Sequence, residues 1–375
     1  MSDEAAIAEA LAGGRLTIDL GALVANYRLL AARSAPAEAG VTIKADAYGL
    51  GMDRVAPVLW DAGARSFFVA IASEGVALKR LLPKATVYLL HGVTPASVEA
   101  VRDAGLVPSL GSPLAVKLWR EAGNGQPCAL HVDTAMNRLG LTLDEASALA
   151  SDGMDGLNAT LLMTHFACAD DPDHSKNTSQ IDSFNAAKAL FPLQKTSLQN
   201  SAGIFLGTRA VSDVTRMGIA LYGGEAVNDV VNPMRVVVTA QARVMHVRTA
   251  KAGETVSYGA TVTLARDTRI AVTSVGYADG FHRAGSGAGV PLRRTGIAGG
   301  NGFIAGGRVP IIGRITMDQT MFDVTDLPDG AVNADDWIEL FGPNIALDEA
   351  ARAAGTIGYE LLTGLGRRYA RRYVI

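Results

Sequence analysis

The sequence has few cysteines, no metal-ligand motif and no excess of one charge. Its 375 residues include only Cys128 and Cys168, too few for a disulfide framework and without metal-ligand spacing. The 6 histidines form neither an HExxH motif nor a CxxC-type pattern, so we expect no bound metal. A net charge of -3 gives no broad basic surface, which argues against nucleic acid as a partner.

Signals for export and for membrane insertion are also missing. The first residues carry Asp3, Glu4 and Glu9 where a secretory signal has positive charge, and no apolar run reaches the roughly 18 residues of a membrane span. We therefore expect a cytoplasmic protein without a membrane partner. At about 150 residues per domain, the length of 375 predicts two domains, and 49% hydrophobic residues are enough for sizeable cores.

From residue 41 onward, short β-prone runs alternate with amphipathic helical stretches, the pattern that builds parallel sheets. The helical stretches include 95–104, 113–122, 143–151 and 180–191. The β-prone runs are 41–45, 67–71, 86–90, 107–110, 129–133, 161–166, 196–199 and 214–221. A doubly wound sheet satisfies the local pattern equally well, but eight units over about 200 residues favour a closed (β/α)8 barrel of the TIM type.

The pattern changes after Gly223, where helical periodicity nearly disappears and alternating runs predict a mostly-β C-terminal domain. These runs are 236–247, 261–264, 270–275, 302–312, 320–324 and 337–340. Asn232 and Pro233 mark the connection, so we predict a barrel domain over 16–233 and a β domain over 234–375. Residues 1–19 contain an early alternating run that can pair with the second domain instead of the barrel.

Lys44 ends an apolar run and begins a glycine-flanked turn, a position suited to a reactive amine. Desolvation or a nearby cation lowers the pKa of a lysine, and its neutral amine can then form a Schiff base with a carbonyl compound. In barrels the reacting groups lie at the carboxyl ends of strands. The polar residues at those ends would suit an anionic ligand that bears a carbonyl group. They are Lys44, His91, residues 133–138, His165, Asn200, Ser201 and residues 216–219.

Nine motifs, in order along the chain, resemble those of the alanine racemase family. They are TIKADAYG at 42–49, VDTAMNRLG at 132–140, MTHFA at 163–167, NSA at 200–202, RMGIALYG at 216–223, VSYGAT at 256–261, GYADG at 276–280, GRITMDQ at 313–319 and TIGYE at 356–360. The resemblance runs from about residue 16 to 374. It implies a pyridoxal 5'-phosphate (PLP) enzyme with a barrel domain and a β domain, working as a homodimer.

The resemblance implies that Lys44 forms the Schiff base with PLP and then acts as one base on the substrate Cα. Racemisation needs a second base on the opposite face, because a proton returned to the same face restores the starting enantiomer. By resemblance this base is Tyr258 of the other subunit, so each active site is shared. Arg216 is similar to the arginine that meets the pyridine nitrogen of PLP. The implied reaction interconverts L-alanine and D-alanine and supplies D-alanine for peptidoglycan.

The remaining site residues follow from the same motifs. The resemblance implies that hydroxyls and backbone N–H groups hold the PLP phosphate. Those residues are Tyr48, Asn200 and Ser201, Gly218 and Ile219, and Tyr359. Arg138 is similar to the arginine at the phenolic oxygen of the cofactor and at the substrate, and His165 to a histidine beside the PLP ring. Met317 resembles a backbone contributor to the substrate carboxylate site, and Tyr277 a tyrosine at the substrate entrance.

Several positions depart from the family pattern. Many members have a carbamylated lysine seven residues before the equivalent of Arg138, where this chain has His131. A carbamate is therefore excluded there, and His131, a bound anion or another group must orient Arg138. Asp46 and Leu50 stand where Asn and His are frequent. Ala135 and Thr316 stand where Gly and Cys are usual. None of these positions is a base or the Schiff-base amine.

Three alternatives to a dedicated alanine racemase stay open. A racemase of broader amino-acid specificity would share every motif. A PLP-dependent decarboxylase of the same architecture would be expected to place a carboxylate at the pyridine nitrogen, and Arg216 argues against it. A non-catalytic single-barrel PLP carrier would lack a second domain, and the β-rich region with Tyr258 argues against that.

Overall fold

The structure is a computed structural model that describes residues 3–191, 195–287 and 299–375. The chain begins with the helix Asp3–Leu11 and strand β1 (Gly14–Asp19). A seven-stranded parallel sheet follows, in sequential order. Its strands are β2 (Val41–Thr42), β3 (Ser66–Val69), β4 (Thr86–Leu89), β5 (Val107–Leu110), β6 (Pro127–His131), β7 (Asn158–Met163) and β8 (Thr196–Ser197). This confirms the parallel α/β arrangement predicted for the first domain.

Helices precede or follow these strands along the chain. They are Leu20–Ser34, Met52–Asp61, Ala72–Leu81, Val98–Asp103, Pro113–Ala122, Leu143–Asp152, Ser175–Leu190 and Ser201–Phe205. The helix Pro113–Ala122 illustrates their local signals. Ser112 caps its N-terminus by accepting a hydrogen bond from Ala115 N at 3.2 Å, and proline occupies the first turn. Its apolar face buries Ala115, Val116 and Trp119.

The ring closes through the segment after β8, which differs from the prediction. We expected a strand over 214–221. Instead, Val214 and Met217 form isolated parallel bridges with Glu38 and Val41 at one end of the sheet, and Arg216 bridges Asn200 at the other. The chain then enters the 3₁₀ helix Ile219–Tyr222. The physical reason is that Gly218 N and Ala220 N turn to donate to Ser201 Oγ instead of continuing a strand ladder.

The barrel interior is filled by side chains from successive strands. Phe68 and Tyr88 stack with ring centroids 4.7 Å apart. The wider core cluster also contains Val107, Ala129, Leu161, Met163 and Val214. Because this interior is packed with apolar side chains, polar groups that meet a ligand must come from the strand ends.

The second unit is a mostly antiparallel β structure, as predicted. Its strands are β9 (Val238–Ala250), β10 (Thr255–Val256), β11 (Val262–Thr263), β12 (Thr268–Thr273), β13 (Asn301–Ile304), β14 (Gly307–Pro310), β15 (Thr320–Asp323), β16 (Trp337–Phe341) and β17 (Tyr369–Val374). The long strand β9 pairs with β1, β12 and β16, while β1 also pairs in parallel with β17. Two short helices, Leu347–Ala353 and Gly358–Thr363, lie between β16 and β17.

The chain divides into two compact units. One contains residues 24–221 and 225–234, and the other contains residues 1–23, 222–224 and 235–375. They are called the barrel unit and the β unit below. Strand β1 lies in the β unit because its partners are β9 and β17. Within the described part of the chain, no helix is both long and apolar enough to cross a membrane.

Candidate active site

Lys44 stands at the start of a left-handed turn at the carboxyl end of β2. The next four residues, 45–48, have φ between 52° and 56°, although none is glycine. A left-handed conformation costs an L-residue roughly 1–2 kcal/mol. Contacts on both sides hold the turn. Ala45 N donates to Glu74 Oε1 at 2.6 Å, and Met52 N donates to Asp46 Oδ1 at 2.7 Å. This turn presents Lys44 in a strained, tightly held backbone.

The surroundings of Lys44 favour the neutral amine. Partial burial lowers the pKa of Lys44 below its ordinary value, and the Arg138 guanidinium lowers it further, while Glu74 acts in the opposite direction. A lower pKa raises the fraction of amine that carries a lone pair near neutral pH. The environment is therefore that of a carbonyl-reactive lysine.

Arg216 is a buried guanidinium held by backbone carbonyls. It is 3% exposed, with Nη1 donating to Ser197 O at 2.9 Å and Nη2 to Thr164 O at 2.6 Å. Burial lowers the pKa of Arg216 to about 10, so the group stays charged at neutral pH. Within residues 3–191, 195–287 and 299–375, no acceptor pairs with its Nε. One N–H donor is therefore left for a ligand atom that accepts a hydrogen bond.

His165 contacts Arg216 and belongs to a buried polar network. Arg216 Nη2 lies 3.2 Å from His165 Nδ1, so the ring accepts there and carries its proton on Nε2. Burial lowers the pKa of His165 well below its usual range, with further lowering by Arg216 and Arg138. Gln180, fully buried, fixes the His165 loop by donating to His165 O at 2.9 Å and accepting from Ala167 N at 2.9 Å. His165 is thus neutral and firmly oriented.

Ser201, Gly218 and Tyr48 converge as an anion cradle. Ser201 Oγ accepts from Gly218 N at 2.8 Å, and Asn200 caps the helix Ser201–Phe205 by accepting from Gly203 N at 2.8 Å. A Cβ at Gly218 would lie 2.6 Å from the Tyr48 hydroxyl and 3.6 Å from Ser201 Oγ. Glycine is therefore required for the close approach. Hydroxyls and backbone N–H groups, including that of Ile219, suit a phosphate bound without many cations.

At His131, which precedes Arg138 in the chain, this sequence differs from the family motif, because a lysine is expected there. His131 ends β6, is buried, and has a pKa lowered to about 4, first by burial and then by Arg216 and Arg138. It is therefore neutral at pH 7 and cannot replace the negative charge of a carbamate. In the described residues, the exposed guanidinium of Arg138 makes no hydrogen bond or ion pair with the protein. Its turn is held from within by Asp133, which accepts from Met136 N and Asn137 N at 2.8 Å.

Tyr258 is an exposed phenol of the β unit. It begins the 3₁₀ helix Tyr258–Ala260 and is 69% exposed. The preceding Ser257 has φ 64° and donates from Oγ to Arg314 O at 2.9 Å, which fixes the turn. Tyr258 lies at a depression of about 950 Å³ lined also by Thr316 and Gln319. The phenol is therefore presented by an ordered turn and is accessible from outside the subunit.

Tyr277 and Met317 are brought together by two bonded loops of the β unit. Tyr277 N donates to Thr316 O, and Ala278 N donates to Met317 O, both at 3.0 Å. Both side chains are partly exposed, Tyr277 at 39% and Met317 at 54%. Tyr359, in the helix Gly358–Thr363 of the same unit, is 40% exposed.

A buried carboxylate locks these loops. Asp279 is 3% exposed and binds Arg368 through both oxygens, at 2.7 and 2.9 Å, while its Oδ2 also accepts from Gly276 N at 2.9 Å. Arg368 reaches Asp318 at 2.8 Å as well. A bidentate Arg–carboxylate pair of this kind is geometrically specific. It positions the backbone around Tyr277 and Met317.

The barrel unit therefore holds one set of predicted residues close together and the β unit another. The barrel set is Lys44, Tyr48, Arg138, His165, Asn200, Ser201, Arg216, Gly218 and Ile219, and the β set is Tyr258, Tyr277, Met317 and Tyr359. The barrel set fits PLP: a depressed-pKa amine, an anion cradle and an unpaired N–H donor match its aldehyde, phosphate and ring nitrogen. Sequence reasoning missed Glu74, Gln180 and the Asp279–Arg368 pair. Glu74 follows a predicted strand by three residues, a helix-capping signal that could have drawn attention to it.

Comparison with known proteins matches both units to one family. The model of the alanine racemase N-terminal domain matches residues 18–226, and that of the C-terminal domain matches residues 237–373. An alanine racemase of Rhizobium meliloti is 52% identical over 368 residues, covering 97% of each chain. A biosynthetic alanine racemase of Agrobacterium fabrum is 51% identical over 96% of this chain and 94% of its own.

Among solved structures, alanine racemase from Bartonella henselae with covalently bound pyridoxal phosphate superposes with a TM-score of 0.90. It is 37% identical, and the match covers 97% of this chain and 100% of that one.

Proposed function

Because the chain belongs to the alanine racemase family, we propose that Lys44 and Tyr258 are the two bases of its reaction. The enzyme is a PLP-dependent isomerase that interconverts L-alanine and D-alanine and thereby supplies D-alanine. When bound, PLP withdraws electrons from the substrate Cα, which makes its hydrogen acidic enough for a side chain to remove. What the chain itself must supply is a proton acceptor on each face of that carbon.

Lys44 supplies one face. Its Nζ would hold the cofactor covalently between turnovers and, once released, would accept or return the Cα proton. The lowered pKa of Lys44 supports this role because it raises the fraction of amine that can act as a base. The left-handed turn fixes the backbone next to Lys44, which supports the positioning that proton transfer to a single carbon requires.

Tyr258 of the partner subunit supplies the other face in a homodimer with shared sites. The exposed phenol, 69% accessible on an ordered turn, supports this arrangement because it can be covered by a second copy of the chain. A tyrosine with an ordinary pKa near 10 needs a hydrogen-bond donor or a cation to act as a base. The Arg138 guanidinium, which acts on the Lys44 amine, is the cation that the barrel offers for this purpose.

Arg216 moderates the cofactor. Its Nε would donate a hydrogen bond to the ring nitrogen without giving up its proton at neutral pH, because the pKa of the guanidinium is about 10. An unprotonated ring would withdraw electrons less strongly than a protonated one, which would favour return of the Cα proton over side reactions. This buried guanidinium also distinguishes a racemase from a decarboxylase of the same architecture, for which a carboxylate is expected at this place.

The other residues bind and orient. Tyr48, Asn200, Ser201, Gly218, Ile219 and Tyr359 form the phosphate site, and His165 supports the ring through its contact with Arg216. Arg138 and the backbone at Met317 hold the substrate carboxylate and the phenolic oxygen of the cofactor. Tyr277 lines the entrance for substrate.

One observation carries the proposal: the same barrel contains both Lys44 and Arg216. Lys44 has a lowered pKa and lies at a left-handed turn, and Arg216 is buried and bound by backbone carbonyls. The test incubates the purified protein with L-alanine, L-serine or L-lysine in D2O and follows optical rotation and α-deuterium uptake. Loss of rotation with deuterium incorporation is expected for L-alanine. Equal rates with L-serine or L-lysine would instead favour a racemase of broad specificity.

The predicted domain limits and the cellular location stay proposals. We propose functional domains over 16–233 and 234–375, with residues 1–19 pairing with the second domain, which limited proteolysis near 231–235 would test. We also propose a cytoplasmic location, which fractionation of expressing cells would test.

A further inference from the structure

We propose that Glu74 is a positioning residue that holds the Lys44 turn and places a negative charge near the Lys44 amine. The inference rests on the proposed role of Lys44 as the residue that carries PLP. Glu74 does not belong to any of the nine motifs and lies on the helix Ala72–Leu81, after β3.

The Glu74 carboxylate accepts hydrogen bonds from three backbone N–H groups on two separate segments of the chain. Oε1 accepts from Ala45 N at 2.6 Å, while Oε2 accepts from Ala70 N at 2.9 Å and from Ile71 N at 3.3 Å. Ala45 directly follows Lys44 and has φ 52°. One side chain thus ties the end of β3 and the start of its helix to the first residue of the left-handed turn. Without it, Ala45 N loses the acceptor that helps to hold this backbone.

The charge of the same carboxylate also acts on the Lys44 amine. The Arg138 guanidinium, on the turn after β6, lowers the pKa of Lys44, and Glu74 raises it. His165, after β7, also interacts with Lys44 but is neutral because its own pKa is strongly depressed. Glu74 therefore limits how far burial and Arg138 depress the lysine. Its charge and its hydrogen bond to Ala45 act on the same functional group.

Covalent attachment of PLP to the apoprotein measures this role independently of racemisation. The reaction needs the neutral amine, so its rate rises with pH through the pKa of Lys44. Glu74→Gln removes the carboxylate charge and, because an amide has only one acceptor oxygen, cannot satisfy the N–H groups on both sides. We expect the pH midpoint of attachment to fall by roughly 0.5–1 unit and the PLP affinity to fall roughly tenfold.

Glu145 provides a matched control. It occupies the same third position of the barrel-unit helix Leu143–Asp152 and accepts from Thr142 N at 2.9 Å, as part of a capping box. Glu145→Gln therefore perturbs a helix cap without touching the Lys44 turn, and it should keep the wild-type midpoint and affinity. Glu74→Asp keeps the charge but withdraws it from Ala45, so it should weaken PLP affinity with a smaller midpoint change than Glu74→Gln.

Absorbance follows attachment from about pH 6 to pH 10, and borohydride trapping with peptide mapping identifies the modified lysine. A wild-type midpoint and affinity in Glu74→Gln would reduce Glu74 to a helix cap and overturn the inference. If that variant does not fold, unchanged PLP affinity in Glu74→Asp would overturn it equally. A label on a lysine other than Lys44 in the wild type would refute the proposed function itself, whatever the Glu74 variants do.

Discussion

At the scale of single residues, the barrel site uses burial to set charge. Arg216 stays charged because backbone carbonyls replace its water, whereas His131 and His165 are kept neutral by burial beside arginines. Lys44 lies between these cases, with burial and Arg138 opposed by Glu74. The result is a cationic site in which burial and Arg138 lower the pKa of the lysine.

Tyr258→Phe tests the second base. The variant should retain covalently bound PLP, because the proposed cofactor contacts in the barrel are untouched, while racemisation falls by roughly 10²–10⁴-fold, the usual contribution of a positioned acid or base. The absorbance of bound PLP and the rate of loss of optical rotation measure the two effects. Wild-type racemisation in this variant would remove Tyr258 from the mechanism.

His131 predicts a pH dependence of stability. Its pKa falls from an ordinary 6.5 to about 4 in the folded barrel, so the unfolded chain binds more protons between these values. The associated stability is present above pH 6.5 and is lost as the pH falls towards 4, to the extent of roughly 3 kcal/mol. Neutral His165 adds a loss of the same sign.

His131→Asn should therefore lose less stability than the wild type between pH 7 and pH 5. Urea unfolding of the apoprotein, with His246→Asn on an exposed site of β9 as the control, measures this. Parallel pH curves for His131→Asn and the wild type would show that folding does not lower the pKa of His131.

At the scale of elements, short apolar runs predicted the central strands well. The run 67–71 overlaps β3, and the runs 86–90 and 107–110 contain β4 and β5, because these strands are mostly buried and leave a continuous apolar signal. Strand β17 was not predicted, since its Arg371 and Arg372 hide the pattern. The run 41–45 is cut short at Thr42, where the left-handed turn approaches.

That turn could not be predicted from local preference. Alanine rarely adopts a left-handed conformation, and Ala45 is held in it by the Glu74 carboxylate, which only the folded barrel brings close. The candidate site was nevertheless named in large part, because its motifs resemble a family. The states of its groups, such as neutral His131, required the surroundings that the fold supplies.

The turn after β6 gives a paired test of backbone strain. Ala135 has φ 74°, where glycine is unstrained, whereas a Cβ at Gly140 would lie 2.4 Å from Asp133 N. Ala135→Gly should change stability little or raise it by up to about 1 kcal/mol, since relief of left-handed strain exceeds the added chain entropy. Gly140→Ala should destabilise by more than about 2 kcal/mol.

Urea unfolding of the two variants measures this contrast. Equal effects of the two substitutions would mean that the 133–140 turn does not have the backbone described.

At the scale of the whole molecule, the chain provides two complete units with separate parts of the chemistry. The barrel unit has the lysine, the anion cradle and the arginines, and the β unit has the exposed phenol with the loops of Tyr277 and Met317. If Tyr258 acts in the active site of a second subunit, the monomer is inactive because its own site lacks the second base. Activity at high dilution should then fall as dimers dissociate.

Subunit complementation tests the shared site most directly. Lys44→Ala and Tyr258→Phe homodimers should each be nearly inactive, since every site lacks one base. After subunit exchange, a mixed dimer contains one site with Lys44 from one chain and Tyr258 from the other. With random exchange, racemisation should therefore return to roughly a quarter of the wild-type rate. No recovery in a mixture shown by native mass spectrometry to contain mixed dimers would contradict the assignment of the two bases to different subunits.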